Sequence, residues 1–490
     1  MTGHLPDYYQ ILGLSPEATA EDIKAAAARL AETFPKEARD PEVNVAYRQL
    51  VEAYEALRDP DQRKAYDDRR RRRAPDLLQV NIQSSRRTIP ALNGKQLLYI
   101  LVMLHAPPDS VQTTLPLNLA LIFDRSTSMR GRRLEQVKAA TKAVVDKLAP
   151  DDVVSLVTFS DRASVVFPAS RAQKKQAIIR RIQSVQVSGG TEIYQGLSAG
   201  MEQLQRTALE RHVNYMALLT DGHTYGDEAD CLALASQAAR QSITLSAFGI
   251  GSDWNDRFLD QLVAPGGGHS IYVERPAQIV ESLQEQIEGL GAIYAQNVRL
   301  EAQLPPDVAC REAIKLSPFS QPLSFTGGAV PLGNLEMRTP LALLLELVVS
   351  PQKAGATLRL PLKIVADLPG LQVRERAFHH AASFEVVHHE PDLSPPPIVI
   401  KAVEMLNLHR MNEKAWEDFE AGKMALATRR MDNLSTRLMA AGHTRLAEQA
   451  SLEKQRLAQM GALSADGRKK LKYGTRALIT TAIRLKKDDD

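Results

Sequence analysis

Apolar positions change their spacing repeatedly along the chain, and each change predicts a different kind of element. Between residues 5 and 67 the spacing is helical. An Ala-rich segment from Ala20 to Thr33 stops before Pro35, and Tyr47, Leu50, Val51, Tyr54 and Leu57 line one face of a second helix from about Pro41 to Leu57. Thr19 and Asp22 have the spacing of a capping box at the start of the first. From Val80 the period becomes two: Val80 and Ile82 alternate with Asn81 and Gln83, and Gln96 to Leu104 is a continuous apolar run of strand length.

From Leu117 to about Gly291, apolar runs of strand length alternate with amphipathic segments. The runs are LNLALIFD (117–124), VVSLVTFS (153–160), NYMALLTD (214–221), ITLSAFGIG (243–251) and HSIYV (269–273). Helices are expected over Arg132–Leu148 and Arg171–Ser184, from Thr191, over Glu228–Gln241, around Phe258–Val263 and over Ala277–Leu290. Such alternation predicts a parallel sheet with helices on both faces. Residues 296–387 return to period two. Val298, Leu300 and Ala302 alternate with Arg299 and Glu301, and Leu358, Leu360, Leu362 and Ile364 repeat the pattern, with Pro361 pointing to an edge strand. No helical pattern intervenes, so this region reads as an antiparallel sandwich. After LSPPP (393–397) the spacing is helical again to Lys487, interrupted at Gly422 and Gly442.

The expected organisation is therefore multidomain, α/β plus all-β plus all-α. It comprises a helical module (1–73), the first sandwich strands (74–116), a doubly wound parallel sheet (117–291), the rest of the sandwich (292–395) and a helical bundle (396–490). The strands on either side of the α/β block share a period, so that block is expected to be inserted in the sandwich.

Length agrees, since 490 residues exceed one core. The balance of 61 basic and 58 acidic residues gives no reason to expect nucleic acid or an anionic membrane as partner. The two cysteines, Cys231 and Cys310, exclude a disulfide scaffold and suit a reducing compartment. The opening MTGHLPDYYQ has no basic segment before an apolar core, and the apolar runs Gln96–Leu104 and Pro340–Val349 are far below the ~20 residues that span a bilayer. A cytoplasmic protein is expected. Arg69 to Arg73 read as a solvated linker ended by Ala74-Pro75, with a phosphate or acidic-partner contact as the alternative.

Three short segments stand at the carboxyl ends of strands in the α/β block: Asp124-Arg125-Ser126-Thr127-Ser128-Met129, Gly189-Gly190-Thr191 and Thr220-Asp221-Gly222. In an open parallel sheet the crevice beyond these ends is where ligands sit. Two carboxylates and three hydroxyls converging there form an all-oxygen donor set suited to a hard divalent cation. Few direct carboxylates leave room for water and an outside ligand, as magnesium prefers. A catalytic reading is weak. The chain has no GxxxxGK[ST] loop and no recognisable nucleophile–base pair beside the site. His223 and His269 stand at strand ends, where isolated histidines are usually surface polar groups, while His379-His380 and His388-His389 are adjacent pairs on strand-like sequence, which face opposite sides and cannot chelate one ion.

Over residues 117–287 this arrangement resembles a von Willebrand factor A domain with a metal-ion-dependent adhesion site. DRSTSM has the family's Asp-x-Ser-x-Ser form, SGGTEI supplies its threonine, LLTDG its second aspartate, and Phe248 to Val273 continue like its closing strand and helix. The resemblance implies that Ser126, Ser128 and Thr191 offer hydroxyl oxygens to magnesium or manganese. It implies that Asp124 and Asp221 bind directly or through water, and that an Asp or Glu side chain from a protein partner takes the open position. The first 67 residues resemble a J-domain, through DYYQILGL (7–14), AEDIKAAAARLA (20–31) and AYRQLVEAYEALRDPDQRKAYD (46–67). They depart from it where that family carries His-Pro-Asp, because Thr33 to Glu37 read TFPKE, and the second helix has lost most of its basic face. Stimulation of a DnaK-type ATPase is therefore not expected. The reading is an interaction protein without catalysis; the alternative is a chaperone-system component, either a co-chaperone or an accessory subunit of a protein-remodelling ATPase.

Overall fold

The computed structural model describes residues 8–12, 14, 18–32, 34, 44–73, 77–108, 110, 115–222, 224, 226–275, 277–290, 292–325, 327–389 and 394–484. They form two compact units divided after Leu77.

The first unit has four helices: α1 (Tyr8–Leu12), α2 (Ala20–Glu32), α3 (Val45–Arg58) and α4 (Pro60–Arg73). Its core gathers Tyr9, Leu12, Ile23, Ala26, Leu50, Ala53, Leu57 and Tyr66, the apolar positions that recur at helical spacing. Thr19 and Asp22 form the reciprocal capping box: the Asp22 amide donates to Thr19 Oγ1 at 3.2 Å and the Thr19 amide donates to Asp22 Oδ2 at 2.9 Å. Far-separated ends meet where Tyr66 stacks on Tyr8 at 4.6 Å and Arg63 Nε donates to Tyr9 Oη at 2.8 Å. Of the expected departure at Thr33 to Glu37, all but Phe34 lies outside the described residues. The five arginines are helical: they complete α4, just before the boundary between the two units, and Asp59 and Pro60 start that helix, the Asp59 carboxylate accepting from the Asp61 and Gln62 amides at 3.0 and 2.9 Å.

The second unit begins with β1 (Gln79–Ser84), β2 (Thr88–Pro90) and β3 (Gln96–His105). The α/β block then runs β4 (Leu117–Asp124), α5 (Arg132–Lys147), β5 (Val153–Phe159), β6 (Ala163–Arg171), α6 (Lys175–Gln183), α7 (Ile193–Leu204), β7 (Val213–Thr220), α8 (Glu228–Arg240), β8 (Ile243–Ile250), α9 (Asp256–Val263), β9 (Ser270–Val273) and α10 (Gln278–Leu290). Its sheet has the order β6-β5-β4-β7-β8-β9, parallel except for β6. Alternate residues of β4 serve the two faces. Leu119, Leu121 and Phe123 pack with α5, α6 and α10, while Ala120 and Ile122 pack with α7, α8 and α9. The sheet is thus doubly wound.

Seven strands follow: β10 (Ile293–Ala302), β11 (Val308–Ser317), β12 (Gln321–Leu323), β13 (Ala329–Glu336), β14 (Leu341–Val349), β15 (Thr357–Leu368) and β16 (Val373–Val387). With β1 to β3 they make two five-stranded sheets, β1-β3-β14-β11-β12 and β13-β10-β15-β16-β2. β3 pairs antiparallel with β14 from Gln96 opposite Val349 to Leu104 opposite Leu341. Strands from before and after the α/β block are therefore hydrogen-bonded neighbours, and the block is an insertion. Pro361 does not mark an edge strand, since β15 lies between β10 and β16. The pairing with β10 ends at Leu362, one residue short, so the proline's missing N–H interrupts no ladder there.

The chain closes with α11 (Pro397–Glu420), α12 (Met424–Ala440), α13 (Thr444–Met460) and α14 (Ala465–Arg484). They cover the first sheet: Leu101, Met103, Ile314, Leu316, Ala342 and Leu344 share one core with Ile398, Ala402, Met405 and Leu406. α14 also reaches the α/β block, where Tyr473 packs with Trp254 and Tyr272 at 5.8 and 5.9 Å between ring centres.

Candidate metal-ion site

β4 ends at Asp124 because the next residues turn back on its carboxylate. The Ser126 amide donates to Asp124 Oδ1 at 2.8 Å, an Asx-type turn, and the Thr220 hydroxyl donates to Oδ2 at 2.9 Å. A short 3-10 turn, Thr127–Met129, then leads to α5. Backbone bonds tie this loop to the next one: the Ser188 amide donates to the Arg125 carbonyl at 2.7 Å and the Thr127 amide to that of Gly189 at 3.3 Å. Gly189 and Gly190 lie on Asp161, whose Oδ1 accepts from the Gly190 amide at 2.7 Å. Gly189 has φ +72°, and a Cβ there would stand 2.3 Å from Asp161 Oδ2 and 3.1 Å from Ser160 Cβ, so the position favours glycine; Thr191 follows the pair directly.

The five predicted residues meet at one end of the sheet. Ser126 and Ser128 share a hydrogen bond at 2.9 Å between hydroxyls, and Ser128 donates to Asp221 Oδ1 at 2.7 Å. Thr191 lies beside the Asp221 loop, with Oγ1 3.6 Å from the position of a Cβ on Gly222. Asp124, Ser126, Thr191 and Asp221 are buried and Ser128 is exposed, so the cluster opens to solvent on one side.

Asp124 carries the clearest electrostatic signal. Burial pushes its carboxyl up to about 6; hydrogen bonds from Ser126 and Thr220 oppose this and the neighbouring Asp221 adds to it. All its hydrogen-bond donors are neutral. A buried, cation-deficient acid, with a second acid and three hydroxyls around it, fits a divalent cation.

One residue was missed from sequence. Arg133, in the first turn of α5, ion-pairs with Asp221 Oδ2, and its other terminal nitrogen lies 3.9 Å from Asp253. As a charged residue on an amphipathic helix it had no distinguishing mark. His269 is not part of the site. It precedes β9, at the opposite end of the strand, and stacks on Phe319 at 3.6 Å. His223 lies outside the described residues. His379 is exposed and His380 half-buried, on opposite faces of β16. Among the described residues no group of three or more His, Cys, Asp or Glu side chains is placed to hold a metal.

Comparison with known proteins agrees with this architecture. Residues 118–286 match the von Willebrand factor type A domain, residues 7–67 the DnaJ domain, and residues 397–481 the Sll0103-like C-terminal alpha-helical domain. The protein sll0103 of Synechocystis sp. is 31% identical over 250 residues, 49% of this chain and 59% of that protein. Two solved structures share the fold beyond the α/β block. The von Willebrand factor type A protein from Catenulispora acidiphila matches 81% of this chain and 96% of its own, at TM-score 0.64 and 18% identity. The ArnB paralog VWA2 from Sulfolobus acidocaldarius matches 82% of this chain and 98% of its own, at TM-score 0.53 and 16% identity. The chain thus contains a von Willebrand factor A domain, set within a β-sandwich and preceded by a DnaJ-type module.

Proposed function

We propose that this chain is an interaction protein whose von Willebrand factor A domain binds a protein partner through a divalent metal, magnesium or manganese. Asp124, Ser126, Ser128, Thr191 and Asp221 would hold the ion. The bound cation would supply concentrated positive charge with one position open to an Asp or Glu side chain of the partner. The observation that carries this reading is the buried Asp124 carboxyl, pushed up to about 6 among neutral donors and linked through Thr220, Ser126 and Ser128 to Asp221. Arg125 would rim the site; among the described residues its Nε is buried without a hydrogen-bond partner.

The role proposed is recognition rather than catalysis, since the acids and hydroxyls of the cluster bond one another as a donor set for an ion. The DnaJ-type module favours a second protein contact and supports the alternative of a chaperone-system component. With TFPKE at 33–37, we assign it docking rather than stimulation of a DnaK-type ATPase. The unpaired thiols Cys231 and Cys310 suit a cytoplasmic location. Among the described residues no helix is long and apolar enough to cross a membrane. The test is capture of partners by wild type and by Asp124→Ala, each with magnesium and with chelator. A partner retained only by wild type with magnesium is expected. Equal capture in all four arms would overturn the metal-dependent reading.

A further inference from the structure

The first turn of α5 is an electrostatically poor place for arginine, because the helix N-terminus already carries partial positive charge. Arg132 and Arg133 both stand there. Arg133 is explained by what it touches. Its Nη1 ion-pairs with Asp221, whose side chain has 0% exposure, and lies 3.4 Å from the Ser128 carbonyl oxygen. Its Nη2 faces away from the cluster, toward the loop between β8 and α9. There it lies 3.9 Å from Asp253 Oδ2 and 3.3 Å from where a Cβ on Gly251 would stand.

That loop is anchored from its other side. Trp254 Nε1 donates to the Gly251 carbonyl at 2.7 Å. Lys469 of α14 donates to the Ser252 carbonyl at 2.7 Å and sits 4.7 Å from the centre of the Trp254 ring. Asp253 is thus held within reach of the guanidinium, yet its own side chain is 71% exposed.

We propose that Arg133 competes with a divalent cation for Asp221, and that Asp253 is the acceptor to which its guanidinium passes when Asp221 takes the cation. This rests on the metal-binding reading above. A guanidinium and a divalent cation on one buried carboxylate repel each other, even where they take different oxygens. Nη1 leaves Asp221, and a rotation of the side chain brings the guanidinium onto a carboxylate it already approaches. The site then has a built-in threshold, with Arg133 opposing the metal and Asp253 favouring it. Because the acceptor loop is gripped by Lys469 and Trp254, the same movement changes the charge pairing of a loop bound to the C-terminal helices.

The test is calorimetric titration of magnesium, repeated with manganese, into the full chain as wild type, Arg133→Met, Asp253→Asn and the double variant. Arg133→Met should tighten binding by about ten- to a hundredfold, the range for removing one competing charged hydrogen bond. Asp253→Asn should weaken it several-fold, and should have little effect when Arg133 is already Met. Arg130→Met makes the same charge change at an exposed position and should tighten binding far less. Without metal, Arg133→Met should lower the melting temperature by leaving buried Asp221 unpaired, and magnesium should restore it. Arg133→Lys, which keeps the charge, gives an intermediate affinity if Arg133→Met folds poorly. Unchanged or weaker binding by Arg133→Met, with wild type still binding, would overturn this inference alone. No binding by any variant or by wild type would overturn it together with the metal-binding reading.

Discussion

Lys472 Nζ lies 2.8 Å from the carboxylate of Asp260, an ion pair between the last helix of the chain and α9 of the von Willebrand factor A domain. Lys472 also pairs with Asp256, and Arg476 grips Asp260 through both terminal nitrogens at 2.9 and 2.7 Å. Burial alone would raise the Asp260 carboxyl, but Arg476 and Lys472 hold it far below the usual carboxylate range. Asp260→Ala should destabilise the second unit by about 3–5 kcal/mol, because it leaves two buried cations short of a counter-charge. The sign with pH follows: a carboxyl held low when folded stabilises above its unfolded value of 3.8, and that stability is lost as pH falls below it. Urea unfolding of both proteins at pH 7 and pH 3 checks this; equal stability at pH 7 would contradict it.

The Gly189–Asp161 contact yields a prediction about a residue that touches no metal. Gly189 has φ +72°, and a Cβ there meets Asp161 Oδ2 at 2.3 Å and Ser160 Cβ at 3.1 Å, so Gly189→Ala strains the loop that presents Thr191 and displaces the carboxylate that holds Gly190. Magnesium affinity should fall at least several-fold while the core of the sheet, which the loop does not enter, keeps its circular dichroism. Affinity equal to wild type would show that Thr191 is not a ligand or that its loop tolerates the shift.

The DnaJ-type module should leave a DnaK-type ATPase unstimulated. Its helices pack through the aromatic and aliphatic positions legible in sequence, but TFPKE at 33–37 offers no histidine and has lysine where the resembled family has its acid. Single-turnover ATP hydrolysis by a DnaK-type chaperone should be unchanged on adding the full chain. A several-fold acceleration would sink the claim.

Where one physical rule acts alone, the sequence was a sufficient guide. LNLALIFD has the length of a strand and is one, buried on both faces, and the matching period of 80–83 and 298–302 placed both in the sandwich. The five candidate ligands were legible because Asp-x-Ser-x-Ser and Thr-Asp-Gly fall at strand ends; Gly-Gly-Thr was expected at one too, but it lies in the loop between α6 and α7, which folds back onto the Asp124 turn. β6 was not legible: none of its residues ASVVFPASR is buried and they include Pro168, so no buried face writes a period into them. The cations of GRKKLKYGTRA (467–477) look like a solvated helix face. Lys472 and Arg476 are buried because Asp256 and Asp260 arrive from a helix more than two hundred residues earlier, and Lys469 because the Ser252 carbonyl and the Trp254 ring do; such pairing is invisible to local pattern. Arg133 was missed for the same reason, since its partner Asp221 is distant in sequence.

Lys315 gives a prediction with the opposite pH sign. It lies on β11 at 2% exposure, and its ammonium donates to the Gly267 and Leu332 carbonyls, tying the end of α9 to the sandwich. Burial lowers its pKa to about 8, with partial relief from the distant charge of Glu336. Between that value and the unfolded 10.5 the unfolded chain holds a proton that the folded protein has released, so stability rises with pH through this window. The gain is about 3 kcal/mol, since each tenfold change in proton affinity is worth roughly 1.4 kcal/mol. Other lysines and tyrosines titrate there too, so the quantity to follow is wild type minus Lys315→Met. Methionine keeps the apolar stem and cannot titrate. Urea unfolding at pH 7, 8, 9 and 10 should show wild type gaining on the variant as pH rises, whichever is the more stable at pH 7. A difference that stays flat would mean that the buried amine keeps its proton throughout, shielded by its two carbonyls.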